Sequence, residues 1–422
     1  MNTIAEHHLF WQGDSPLTCI ERIEETRDAA TFVLYASSGA FFHFLPGQFV
    51  SIGAEIDGKT HWRAYSISSS PTRPETLSIT VRRVAGGLVS NWLLDNVRSG
   101  VELPAMAPAG DFALQAADVP ANIALFSAGC GITPMMSMTR WLLETRTATD
   151  IHFFHSARSE DEFIFRDELL DLAAQHVNLK LHLFLTQPKG RVDCHRGRLD
   201  ASRLQALLPD RNGTRAYLCG QDGYMEQVSH WLLGAGLEAG AIHRENFQAA
   251  CVAVSEDAER YSLHVPDFGR TAEIAVGELL LDVLEREGLP IIGACRTGVC
   301  GSCKCKILDG EVESASTAPL TPEEIAEQER LAAEKAREER LQGLLDSMTL
   351  EEKVGQLFQN WHCGNVKSVS GVGFVGADAP LTEDNLFVAA GHNVFRAHQK
   401  LLDGGGQAPF QKDRLIQPAQ LL

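Results

Sequence analysis

Gly293-Ala-Cys295-Arg-Thr-Gly-Val-Cys300-Gly-Ser-Cys303-Lys-Cys305 places three cysteines at the spacing C-x-x-x-x-C-x-x-C. That spacing suits a 2Fe-2S cluster, whose irons are held by thiolates. Gly298 and Gly301 let the backbone wrap tightly enough for its amides to point at sulfur. A zinc knuckle would show two separated C-x-x-C or Cys/His pairs, and those are absent. A disulfide pair suits a long chain without a secretory leader poorly. Cys295, Cys300 and Cys303 therefore read as iron ligands in a loop that handles electrons.

Upstream, the alternation over 261–265 and 271–276 predicts two strands, and 279–287 predicts a helix that leads into the cysteine loop. A further strand is expected over Lys304–Leu308, so that residues 258–320 make a small β-grasp ferredoxin-type unit. Next comes Leu320-Thr-Pro-Glu-Glu-Ile, with Thr321 as N-cap, Pro322 at the first helical position and Glu324 at the third. The helix expected from Glu323 to about Gln342 is mostly charged. Residues 321–422 form a divergent, largely helical extension with no recognisable chemistry.

The first part of the chain has a different rhythm. Over 15–115, short alternating runs such as Phe32-Val-Leu-Tyr and Leu77-Ser-Ile-Thr-Val sit between Pro/Gly turns, which predicts an antiparallel barrel. Over 116–250, apolar strands at 122–127, 151–155, 179–185 and 215–219 alternate with helices at 134–144 and 225–234. That alternation predicts a doubly wound parallel sheet. The fold class is thus a multidomain α/β and β chain.

Three short motifs add chemistry. Arg63-Ala-Tyr65-Ser66 puts a cation, a ring and a hydroxyl on one strand end, and Gly86-Gly87-Leu-Val-Ser90 is a glycine turn opening a helix, where free N–H groups meet an anion. Together they suit a flavin and its pyrophosphate. Gly129-Cys-Gly131-Ile-Thr133-Pro134 follows a strand and starts a helix, but Pro134 replaces the third glycine of the usual dinucleotide fingerprint. Cys219-Gly220 ends a later strand, at the edge where open sheets bind ligands. His152 and His155 lie three apart on a strand and so face opposite sides, which rules them out as a metal pair. Trp141, Trp231, Cys19, Cys194 and Cys251 read as core.

A net charge of −18 argues against a nucleic-acid surface, and suits a basic-patched protein partner if charge steers docking. No window approaches the apolar length of a membrane span, and with no secretory leader a cytoplasmic location is expected.

Taken in this order, Arg-x-Tyr-Ser, Gly-x-x-Ser, Gly-x-Gly-x-x-Pro, Cys-Gly and the cysteine loop resemble the ferredoxin-reductase superfamily over roughly residues 15–330. The resemblance is to the NADH-dependent reductases of Rieske-type demethylating oxygenases and to the hybrid-cluster protein reductases. It implies FAD, NADH (with NADPH possible) and a 2Fe-2S cluster as cofactors, and an oxygenase or hybrid-cluster protein as redox acceptor. By the same resemblance, Arg63, Tyr65 and Ser66 bind FAD, with Ser66 near flavin N5, while Gly87 and Ser90 contact its pyrophosphate. Gly129, Gly131, Thr133, Pro134 and Gly220 fall at the nicotinamide nucleotide, and Ser156 and Arg158 at its adenosine ribose. Cys219 falls against the nicotinamide and Glu245 at the flavin.

The resemblance breaks at Leu331-Ala-Ala333-Glu, where the family carries the fourth cluster ligand and this chain has Ala333. Cys363 is the substitute the sequence suggests. Two other readings stay open at this point: an NADH diaphorase or flavin reductase with an empty ferredoxin domain, and a non-catalytic partner-binding protein.

Overall fold

A computed structural model describes residues 10–347, apart from 147, 191–192, 209–212, 248–253, 256, 309, 311 and 313–318. Cys251, Cys363 and the extension beyond 347 lie outside the described residues.

Period-two alternation builds the first layer. Strands β1 (Leu17–Thr26), β2 (Ala29–Ala36), β5 (Leu77–Arg82) and β6 (Glu102–Leu103) form an antiparallel sheet in the order β5-β2-β1-β6, and β3 (Phe49–Ile56) pairs with β4 (Lys59–Ser66) as a hairpin. The hairpin turns on Asp57-Gly58, both with positive φ (52° and 74°), the pairing a tight two-residue turn demands. Single bridges Ile67↔Ile79 and Ile52↔Ala105 join the hairpin to both ends of the sheet and close it into a barrel. Leu17, Phe32, Leu34, Ile52, Ile67 and Ile79 fill its interior. Helix α1 (Leu88–Asn96) plugs the barrel with Val89, Leu93 and Leu94.

The second layer is the six-stranded sheet β10-β9-β8-β7-β11-β12, parallel throughout. Its strands are β7 (Asn122–Ala128), β8 (Asp150–Ala157), β9 (Leu179–Leu185), β10 (His195–Arg196), β11 (Thr214–Cys219) and β12 (Ile242–Glu245). Helices α2 (Ile132–Thr145) and α3 (Arg166–Gln175) cover one face, and α4 (Ala201–Leu207) and α5 (Asp222–Gly234) the other. Strand order reverses between β7 and β11, so a crevice opens beyond their carboxyl ends. Trp141 is core and Trp231 packs at its edge, as the sequence predicts.

Polar contacts join sheet to barrel. On α2, Ser137 Oγ donates to the Ser69 carbonyl at 2.7 Å, Arg140 donates to the Ser68 carbonyl, and Glu144 accepts from Ser70 Oγ at 2.6 Å. Buried on both sides, α2 leaves the position of one layer fixed by the other.

The third part holds the antiparallel pair β13 (Arg260–Val265) and β14 (Arg270–Ala275), helix α6 (Leu280–Arg286) and the cysteine loop. The strand expected over Lys304–Leu308 does not form. A strand exists through its ladder, and among the described residues this segment has no partner; Ile307 and Leu308 stand 43% and 72% exposed.

Helix α7 runs Pro322–Ser347, five residues past the expected end. Its capping box is in place: Glu324 N donates to Thr321 Oγ1 at 3.2 Å, and Thr321 N to Glu324 Oε2 at 2.8 Å. The chain divides into a compact unit over Met1–Glu327 and a second over Gln328–Leu422.

Candidate active site and cluster loop

The crevice brings together residues far apart in sequence. After β7 the chain makes one tight turn, Gly129–Gly131, before α2 begins. Gly129 has φ +56°, and a Cβ on Gly131 would lie 2.1 Å from the Cys219 carbonyl oxygen. Only glycine allows this approach, which presses the first turn of α2 against the Cys219-Gly220 end of β11. Thr133, fully enclosed, donates to the Cys130 carbonyl at 3.1 Å and fixes the turn. Pro134 is buried within the first turn of α2, a position where its missing N–H costs nothing.

Against this turn lies the end of β4. Ser66 is buried, and its Oγ lies 3.5 Å from Glu245 Oε2, at the end of β12. Tyr65, Cys130, Cys219 and Glu245 are near enough to perturb one another electrostatically. Desolvation pushes the Glu245 carboxyl up to about 8, against the opposing hydrogen bond from Ser66, so it is largely protonated at neutral pH. Burial likewise raises the Cys219 thiol, keeping it neutral.

Since folding raises the Glu245 pKa, the folded state keeps a proton that the unfolded state sheds near pH 4.5. Its contribution to stability is therefore lost as pH rises from about 4.5 to about 8. In flavin-free protein the thermal midpoint falls over this window, and Glu245→Gln flattens the fall. Identical pH slopes in the two proteins would contradict the assignment.

At the other end of the barrel, Gly87 caps α1 with an extended backbone, and a Cβ there would strike Ser90 Oγ at 2.7 Å. Ser90 is buried, with its Oγ 3.4 Å from the Val84 amide. Arg63 lines a cavity of about 680 Å³ between β4 and α6, along with Lys59, Trp62, Asp282, Glu285 and Arg296. Burial, then the nearby Arg296 guanidinium, lowers the Arg63 pKa. The lining is mixed in charge, because Glu278, Asp282 and Glu285 stand beside the cations and Arg296 is paired with the last two of these. Arg158 is exposed just beyond β8, at the same edge of the parallel sheet as the glycine turn.

The cysteine loop is held by a residue the sequence reading missed. Arg296 has φ +57°, and its guanidinium donates to Glu285 Oε2 at 3.0 Å and to Asp282, fastening the loop to α6. Gly298 and Gly301 take positive φ (78° and 74°) as expected. Interaction between the two thiols holds Cys295 low and Cys300 high. Cys300 Sγ also lies 3.1 Å from Ser302 Oγ. The loop carries the three thiols of the motif, one ligand short of a 2Fe-2S site, and among the described residues no three Cys, His, Asp or Glu side chains are gathered closely enough to hold a metal ion.

Another site residue escaped the sequence reading. Arg82, closing β5, pairs with Asp28 at 2.9 Å and with Glu162 at 3.0 Å, tying the barrel to the parallel-sheet layer beside the glycine turn. No local pattern announces contacts 54 and 80 residues away. His155 hydrogen-bonds Ser127 Oγ at 2.8 Å through Nδ1 and stacks on Phe163, buried and neutral, with its pKa pushed down to about 3. His152 points the other way, toward His182.

Barrel, parallel-sheet crevice and cysteine loop together define a flavin- and nicotinamide-dependent oxidoreductase with its own iron-sulfur domain. Family comparison agrees in the same order along the chain. Residues 16–114 match the oxidoreductase FAD-binding domain, 125–230 the oxidoreductase NAD-binding domain, and 263–333 the 2Fe-2S iron-sulfur cluster binding domain. The glycine betaine monooxygenase reductase subunit of Pseudomonas aeruginosa is 37% identical over 75% of this chain and 91% of its own length. The stachydrine N-demethylase reductase subunit of Rhizobium meliloti is 32% identical over 75% and 92%. Phthalate dioxygenase reductase shares the fold, with a TM-score of 0.52 at 23% identity over 68% of this chain and 84% of that one. The chain belongs to the ferredoxin-reductase superfamily, in the group whose FAD- and NAD-binding domains precede a 2Fe-2S domain, and is an NAD(P)H-dependent FAD/2Fe-2S oxidoreductase. Among the described residues no helix is long and apolar enough to cross a membrane.

Proposed function

We propose that this chain is the reductase component of an oxygenase system, drawing electrons from NADH and delivering them singly to a Rieske-type acceptor protein. The observation that carries this reading is the match to oxygenase and demethylase reductase subunits across nine-tenths of their own length. Bound FAD supplies a carrier that takes two electrons together and releases them one at a time, which a one-electron cluster requires.

The chain's own residues bind, orient and exclude water. Arg63 and Tyr65 hold the flavin along β4, and Gly87 and Ser90 receive its pyrophosphate at the start of α1. Gly129, Gly131, Thr133, Pro134 and Gly220 seat the pyrophosphate of NADH at the start of α2, where the glycine turn and helix N-terminus suit an anion. Cys219 would lie against the nicotinamide and Ser66 against the flavin. Glu245, protonated at neutral pH, keeps the buried pocket free of net negative charge and hydrogen-bonds Ser66. Ser156 and Arg158 read the ribose; an arginine there also tolerates the 2′-phosphate of NADPH, so NADH is preferred rather than exclusive.

The test supplies NADH and this protein to a purified Rieske oxygenase component and to a hybrid-cluster protein, following acceptor reduction against ferricyanide as a non-specific control. Oxygenase reduction at a rate comparable with ferricyanide supports the reading. Ferricyanide reduction with neither protein reduced would make the chain a diaphorase, and preference for the hybrid-cluster protein would reassign the partner.

A further inference from the structure

Helix α5 starts three residues after β11 ends, so its first turn brings Tyr224 back over the carboxyl edge of the parallel sheet. Tyr224 N donates to the Gln221 carbonyl at 3.0 Å, which fixes that turn. Gly220 makes room for the ring: a Cβ there would lie 3.2 Å from Tyr224 Cδ1 and 3.0 Å from Ala128 Cβ. The ring therefore lies beside the end of β7 as well as that of β11. Ala128 closes β7 directly opposite Ser156, its register partner on β8. The gap is one strand spacing, about 4.8 Å, which a phenol can bridge. Side chains alternate faces along a strand, so Ser156 shares a face with Phe154, and Tyr224 packs against the core on that face.

The Tyr224 hydroxyl is shut away from water and, among the described residues, has no hydrogen-bond partner. An enclosed hydroxyl left unpaired is costly, and its retention calls for a reason. The polar side chain that acts on it is Ser156, half-buried at the open end of the crevice. Resting on the reading above, in which Ser156 meets the adenosine ribose of NADH, we infer that Tyr224 is a positioning residue for that nucleotide: its hydroxyl donates to Ser156 Oγ once the nucleotide is seated and turns the serine hydroxyl toward the ribose. The serine oxygen accepts from the phenol, and its own hydrogen stays free to donate to a ribose oxygen. Burial raises the Tyr224 pKa, so the phenol keeps the proton it donates.

The neighbouring groups do not take this part. His155, next to Ser156, also carries an unpartnered nitrogen, but its ring faces the opposite side of the sheet and stacks on Phe163. Arg158 is exposed beyond the strand end and brings charge rather than a directed hydroxyl. Tyr224 is thus the polar group that reaches Ser156 from beneath, from the helix that follows Cys219-Gly220. The nicotinamide and adenosine halves of the crevice are tied together by this connection, because the turn that places Cys219 also places Tyr224.

The experiment follows ferricyanide reduction by NADH in FAD-loaded full-length protein, comparing wild type, Tyr224→Phe, Ser156→Ala and the double variant. Competitive inhibition by 5′-AMP probes the adenosine half of the site and inhibition by nicotinamide mononucleotide the other half, with rates and constants read per bound flavin. Phenylalanine keeps the ring against Gly220 and removes only the oxygen. The inference expects Tyr224→Phe to raise the KM for NADH and the inhibition constant for 5′-AMP by about five- to tenfold, the loss of one hydrogen bond. It expects kcat and the nicotinamide mononucleotide constant to stay as in wild type. The double variant matches Ser156→Ala, since Tyr224 acts through that serine. A KM raised by Ser156→Ala but not by Tyr224→Phe overturns the inference and leaves the ribose reading standing. A double variant whose effect is the product of the two single effects does the same. If neither single variant moves the KM or the 5′-AMP constant, both readings fall. A lower kcat in Tyr224→Phe with 5′-AMP inhibition unchanged makes Tyr224 a packing residue and overturns the inference.

Discussion

Gly131→Ala raises the KM for NADH more than tenfold and lowers the thermal midpoint, whereas Gly129→Ala does neither to the same degree. Backbone conformation is not the reason: Gly131 sits at φ −62°, which any residue adopts. Space is the reason. A Cβ at 131 would lie 2.1 and 2.4 Å from the carbonyl oxygen and carbon of Cys219 and 2.8 Å from the Gly220 amide. These atoms are backbone of the adjacent parallel strand, and no rotamer change relieves the overlap. Overpacking of this kind costs about 1–3 kcal/mol or more, a drop of several degrees in the midpoint for a chain of this size. The turn has to move by roughly an ångström, and a misplacement of that size costs on the order of a hundredfold in a positioned reaction. At Gly129 the added carbon comes no nearer than 3.5 Å, to a movable Arg82 guanidinium nitrogen, and the cost is that of a left-handed residue, about 1 kcal/mol. Thermal unfolding and steady-state NADH kinetics on both variants give the comparison. Equal effects would mean that close contact of the turn with β11 does not govern nucleotide binding.

Ser66→Ala retains FAD and slows flavin reduction by NADH about a hundredfold, or roughly 2.7 kcal/mol in the barrier. The hydroxyl is buried at the junction of barrel and parallel sheet, and it is the group on β4 that hydrogen-bonds Glu245. Its removal leaves the Glu245 carboxyl without that partner and loosens the strand end at which the flavin is proposed to bind. Neither change touches the turn of α1 at which the flavin pyrophosphate is proposed to bind, so flavin content is preserved. Stopped-flow bleaching of the flavin band separates hydride transfer from later electron release. An unchanged bleaching rate with FAD bound would remove Ser66 from the reacting centre.

Much of the site was legible because its demands are local. A glycine turn between a strand and a helix, a strand-end Arg-x-Tyr-Ser and a C-x-x-x-x-C-x-x-C loop each declare themselves within about ten residues, since backbone geometry at a turn is set by its own residues. The Thr321–Glu324 capping box was readable for the same reason, and both of its hydrogen bonds form. The strand over Lys304–Leu308 was misread because alternation predicts a strand only where a neighbour completes the ladder. Arg82, Arg140 and Arg296 were missed because each acts by reaching across the fold to partners no periodicity encodes.

The amino-acid sequence alone determined the order of the three functional layers, the barrel and parallel-sheet classes, the cysteine loop and the loss of a ligand at Ala333. These follow from side-chain period, turn chemistry and donor atoms, properties each segment carries with it. Only the tertiary structure decided that Gly131 lies against Cys219, that Ser66 reaches Glu245 and raises the question of its proton, and that the segment holding Cys305 is free of a ladder. Those outcomes depend on which strands become neighbours and how closely their ends pack, and packing is a property of the assembled chain rather than of any stretch within it.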